Sequence, residues 1–81
     1  MWPTPVQIRA ARTLLGWTLD DLAQRMGVGR KRLMRLEDPE QKTRVDGNLI
    51  RAVVATIEAA GVRFVPPDDQ QGRGVRFRDP D

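Results

Sequence analysis

The stretch Thr18-Leu19-Asp20-Asp21-Leu22-Ala23-Gln24-Arg25-Met26-Gly27-Val28-Gly29-Arg30-Lys31-Arg32-Leu33-Met34-Arg35-Leu36-Glu37 holds two helical patterns and one break. Leu19, Leu22, Ala23 and Met26 fall at i, i+3, i+4 and i+7, one face of an amphipathic helix. Thr18 is its expected cap, and Asp20 and Asp21 stand in its first turn, where the helix dipole favours acids. Gly27 ends the pattern, and only Gly27-Val28-Gly29 precedes the next helix, Arg30 to Glu37. Two short helices joined by so brief a Gly-bearing turn carry the signature of a helix-turn-helix unit over residues 18–37.

The second of these helices divides by angle. At about 100° per residue, Leu33 and Leu36 point toward the core, beside Leu22 and Met26. Arg30, Lys31, Met34 and Arg35 form a basic stripe around a methionine on the opposite side, with Arg32 and Glu37 on the flanks. A cationic stripe at the start of a short exposed helix suits the major groove. That groove, about 12 Å wide, admits one helix, and Arg or Lys pairs with guanine N7 and O6 there.

On the N-terminal side, Thr4-Pro5-Val6-Gln7 opens an earlier helix, with Thr4 and Gln7 as a capping box and Pro5 at its first position. Ile8, Ala11, Arg12 and Leu15 form its apolar face, and Gly16 is its expected stop. Toward the C-terminus, Asp38-Pro39 halts the basic helix and a polar loop, Glu40 to Val45, follows. Asp46 caps a fourth helix, Gly47 to Ala60, whose apolar face is Leu49, Ile50, Val53, Val54 and Ile57, and Gly61 closes it. Beyond it, Val62-Arg63-Phe64-Val65 and Val75-Arg76-Phe77-Arg78 alternate as two short strands joined by the Pro-, Asp- and Gly-rich segment 66–74. The expected class is mainly α, four helices in a helix-turn-helix domain over residues 1–61, with a C-terminal β-hairpin and tail over 62–81. A lone hairpin is marginal in water, so it must lean on the helices or on another chain.

Composition narrows the function. The chain has 81 residues and neither His, Cys, Ser nor Tyr, so the usual nucleophiles and the usual neutral-pH acid–base group are missing. Enzymatic activity, a thiolate metal site and a cofactor are therefore not expected. No apolar run approaches the length of a membrane span, and the lack of cysteine fits a cytoplasmic protein. Net charge is +3, and Arg supplies most of the cations. Arg presents the planar fork that matches phosphates and guanine edges.

Ile8-Arg9-Ala10-Ala11-Arg12, Leu14 through Ala23, Met26 through Arg30 and Arg35-Leu36-Glu37 together resemble the lambda-repressor-like, Cro/Xre-type helix-turn-helix family over roughly residues 4–60. The resemblance implies a four-helix lambda-repressor-like domain and a homodimeric regulator, commonly a repressor of its own promoter, bound to a near-palindromic double-stranded DNA operator. It puts base contacts on Arg30, Lys31 and Arg35, and phosphate contacts on Thr18, Arg32, Lys42 and Arg44, with Asn48 a weaker candidate. It also implies an internal ion pair between Arg12 and Glu37. The residues point the same way, because Arg12 lies on an apolar face between Ile8 and Leu15, where an unpaired charge is costly. The chain departs from the family in Leu19, where Gln is usual, in Gly29, where Ser or Thr caps the recognition helix, and in its missing fifth helix. The last departure means that the family's dimer surface does not carry over.

Trp2 and Trp17 read as core or interface packing rather than base-stacking groups. In the tail, Arg63, Arg73, Arg76 and Arg78 balance Asp68, Asp69, Asp79 and Asp81, which suits an assembly surface better than a second DNA arm. Two readings of that surface stay open: a homodimer interface, or strands that grip a protein partner as an antitoxin grips its toxin.

Overall fold

The computed structural model describes residues 2–40 and 45–79. Among them the chain forms helices α1 (Pro5–Leu14), α2 (Leu19–Met26), α3 (Arg30–Leu36) and α4 (Gly47–Ala59), then strands β1 (Val62–Val65) and β2 (Gly74–Phe77). The protein is thus mainly helical with one antiparallel hairpin. No helix among the described residues is long and apolar enough to cross a membrane.

Local chemistry sets the helix starts. Thr4 Oγ1 accepts the Gln7 N–H at 3.2 Å while Gln7 Oε1 accepts the Thr4 N–H at 3.0 Å, the reciprocal box expected at α1. Asp46 Oδ1 accepts the Asn48 N–H at 2.8 Å and caps α4. The ends differ slightly from the sequence expectation. Helix α1 stops at Leu14 because its last turn closes in a six-to-one pattern. The Trp17 N–H donates to the Arg12 carbonyl at 3.1 Å and the Gly16 N–H to the Thr13 carbonyl at 2.9 Å. That pattern needs a left-handed residue, and Gly16 supplies it at φ 74°. Gly27, at φ 67°, ends α2 the same way, with the Val28 N–H on the Ala23 carbonyl at 3.1 Å. At α3, Glu37 is the C-cap rather than a helical residue, and at α4 that place is taken by Ala60.

The four helices and β1 contribute their apolar sides to one core: Ile8 and Ala11 from α1, Leu22 and Ala23 from α2, Leu33 and Leu36 from α3, Leu49, Val53 and Ile57 from α4, and Val62 from β1. Fully burying each Leu, Ile or Val contributes about 1.5–3 kcal/mol. Met26 and Leu19 are only half-buried at the margin of this core.

Strand β2 begins one residue earlier than its alternation suggests, because Gly74 pairs with Val65, the last residue of β1. The register also sets Arg63 directly opposite Arg76 on the outward face, and like charges so placed weaken a hairpin. The hairpin is held instead by its other face, where Val62 is fully buried and Phe64 and Val75 pack against the core. A single polar side chain adds to this. Gln7, buried in α1, donates from Nε2 to the carbonyls of Gly74 at 3.2 Å and Val65 at 3.4 Å. One glutamine therefore ties the start of α1 to the loop end of the hairpin. Gln7→Ala is expected to destabilise the chain by about 1–3 kcal/mol and to speed amide exchange in β1 and β2 more than in α2. Unchanged hairpin protection would assign the anchoring to Val62 and Phe64 alone.

Candidate nucleic-acid interface

Helix α3 is seven residues long, Arg-Lys-Arg-Leu-Met-Arg-Leu, with Leu33 and Leu36 buried and every other side chain exposed. Its exposed surface therefore holds four cations and Met34, which is 50% exposed, with no acid in the helix itself. Lys31, Met34 and Arg35 stand at i, i+3 and i+4 and form the middle of the surface. The two remaining arginines lean outward to neighbouring helix starts. Arg30 Nε lies 3.3 Å from Asp20 at the start of α2, and Arg32 Nη2 lies 3.6 Å from Asp46 at the start of α4. All four side chains are more than half exposed, and pairs of this kind contribute about 0–1 kcal/mol. They are weak enough to be exchanged for a phosphate. Lys31 and Arg35 make no ion pair among the described residues.

What fixes α3 is an ion pair at its far end. Arg12 of α1 donates from Nε to Glu37 Oε2 at 2.8 Å and from Nη2 to Oε1 at 2.9 Å, while Nη1 donates to the Trp17 carbonyl at 2.9 Å. The fork is bidentate, and the side chains are 15% and 8% exposed. The hydrogen bond to Glu37 holds the Arg12 guanidinium above its ordinary range, against burial, which acts the other way; the Glu37 charge adds to the rise. No buried side-chain nitrogen or oxygen among the described residues lacks a partner. The pair ties α1, the α1–α2 turn and the C-cap of α3 into one rigid support.

The phosphate-side candidates divide. Arg32 and Asn48 both reach the start of α4, close to Asp46. Asn48 Oδ1 accepts from Arg51 Nη2, which leaves the Asn48 amide group to donate. Thr18 is the N-cap of α2: its Oγ1 accepts the Asp21 N–H at 3.0 Å and its own N–H donates to Asp21 Oδ2 at 2.8 Å. The hydroxyl keeps a proton to donate, but the Asp21 carboxylate stands beside it. Lys42 and Arg44 lie outside the described residues.

The backbone and side-chain hydrogen bonds from Thr18 hold the Asp21 carboxyl below its ordinary value, and the N–H groups of Gln70 and then Gln71 do the same for Asp68. A depressed carboxyl stabilises the fold above its unfolded value, near pH 4, and loses that contribution as pH falls through the folded value. Melting temperature should therefore fall less for Asp21→Asn than for the parent chain between about pH 6 and about pH 3.

Four partners were not legible as such in the sequence. Asp20 and Asp46 read as dipole and cap residues, and their second role toward Arg30 and Arg32 depends on how the helices meet. Gln7 read only as a capping residue. Arg25 lies over the Trp17 ring at 4.1 Å from its centre, so Trp17 packs under a cation at the surface. No protein-family model and no curated protein matches this chain.

Proposed function

We propose that this chain is a cytoplasmic, sequence-specific double-stranded DNA-binding regulator, acting as a dimeric repressor of the lambda-repressor-like helix-turn-helix type. The observation that carries the reading is the exposed face of α3, four cations around Met34 with no acid in the helix, set on a buried Leu33–Leu36 side and braced by the Arg12–Glu37 fork. A reading helix must be exposed, cationic and held rigidly, and α3 combines the three.

In this mechanism the Arg30–Glu37 segment enters the major groove. Lys31 and Arg35 donate to base edges, Met34 meets thymine methyl groups, and Arg30 joins them by leaving Asp20. Arg32, Asn48 and Thr18 hold the sugar–phosphate backbone and fix the register, with Lys42 and Arg44 as further cations for that role. A two-fold pair of chains then reads half-sites about 34–36 Å apart or a multiple of that. Occupying a promoter suffices to repress it, with no ligand required.

Selection of bound duplexes from a random DNA pool at near-physiological salt tests the reading. Enrichment of an inverted repeat with that spacing is the expected result. Binding that is equal on all duplexes and disappears with salt would reduce α3 to an electrostatic surface and overturn it.

A further inference from the structure

Away from the exposed face of α3, an apolar groove of about 490 Å³ runs along α4. Trp2, Ile50, Val54 and Phe64 supply its walls, Pro3 and Ala55 complete its lining, and Trp2 remains 46% exposed. Arg51 and Glu58 line the groove as its two charged residues. They are seven residues apart on α4, so they share one face but stand about 10 Å from each other along the axis. Among the described residues neither makes an ion pair within the chain.

Their order runs against the helix. Glu58 sits in the last turn of α4, where the carbonyl end of the dipole disfavours an acid, and no basic residue in that turn offsets it. Arg51 stands nearer the amino end, where a cation gains nothing. An antiparallel copy of the same helix reverses both relations. A two-fold axis passing between Val54 and Ala55 sets Arg51 of each chain against Glu58 of the other, and places each Glu58 toward the amino end of the neighbouring helix. The same axis covers the groove walls of Trp2, Val54 and Phe64 in each chain with the same patch of the other, as an isologous contact requires.

We infer that α4 is the self-association surface of this protein, and that its occupant is a second copy paired antiparallel through Arg51 and Glu58. The hairpin does not need that partner, because Gln7, Val62 and Phe64 already seat it on its own chain. The pairing rests on the dimeric reading above and is tested without DNA, so a failure of the α4 interface is distinguishable from a failure of α3 as the reading helix.

Sedimentation equilibrium of the full chain, of Arg51→Glu, of Glu58→Arg and of the double exchange is the test. All three variants should keep the parent helical circular dichroism, since both side chains are exposed. The parent chain is expected to dimerise. Each single reversal acts twice across the axis and should raise the dimer Kd roughly tenfold, while the double exchange restores it. A parent chain that stays monomeric leaves the groove to a different protein or an apolar small molecule and overturns the inference. So does a dimer indifferent to both reversals, which would move the axis to the hairpin, and so does a double exchange that fails to restore pairing.

Discussion

Glu37→Ala is expected to cost the folded chain about 3 kcal/mol, the lower end of the 3–5 kcal/mol range for breaking a buried ion pair, because both side chains keep slight solvent contact. The substitution strands two guanidinium donors that now meet Glu37 oxygens at 2.8 and 2.9 Å, with only the Trp17 carbonyl left to the third nitrogen. For 81 residues the whole stability is about 4–12 kcal/mol, so this loss is a large share of it. In a thermal melt it corresponds to a fall of roughly 10–25 °C. Removing both charges should be far milder. Arg12→Met with Glu37→Leu replaces the fork by side chains of similar bulk, and such replacements are often neutral or stabilising. The contrast between the single and double variants separates the cost of an orphaned charge from any net contribution of the pair. A Glu37→Ala melt within about 1 kcal/mol of the parent would mean that water reaches Arg12 freely, and the rigid support assigned to α3 would fall with it.

That pair was open to a reading of the sequence for a definite reason. Helical periodicity put Arg12 on the apolar face with Ile8 and Leu15, where a charge requires a partner, and the family resemblance, with Glu37 on the flank of its helix, supplied which one. The cap at Thr4, the break at Gly27 and the buried side Leu33–Leu36 were legible on the same ground, since each depends on residues within two turns of one another. The double role of Gln7 was not. Its hydrogen-bond acceptors, the carbonyls of Val65 and Gly74, are 58 and 67 residues away and carry no side-chain signal. The basic stripe on α3 was visible as a pattern, but the leaning of Arg30 toward Asp20 and of Arg32 toward Asp46 follows from the way three helices meet. The groove on α4 was hidden for a similar reason: Trp2, Val54 and Phe64 come from three separate stretches of chain that only the folded core brings together. Local periodicity thus conveyed the elements and their inward faces, whereas the lateral contacts that tune the exposed face were beyond it.

Arg35 and Arg32 should behave differently once a preferred duplex is in hand. Arg35 is exposed in the middle of the α3 surface, makes no ion pair among the described residues and sits beside Met34, so its guanidinium is available to a base edge. Arg35→Ala is expected to lose about 1–3 kcal/mol on the preferred sequence and to relax preference at one position in each half-site. Binding to unrelated duplexes should change little. Arg32 stands at the margin of α3, shared with Asp46 at the start of α4, where a phosphate can replace the carboxylate. Arg32→Ala should weaken every duplex to the same extent and lower the salt dependence by about one phosphate contact per chain. Fluorescence anisotropy on the preferred duplex and on single-base variants, repeated across a salt series, measures both quantities. Two substitutions with indistinguishable profiles would mean that α3 lies along the phosphates rather than in the groove, and the basic stripe would then supply affinity without sequence.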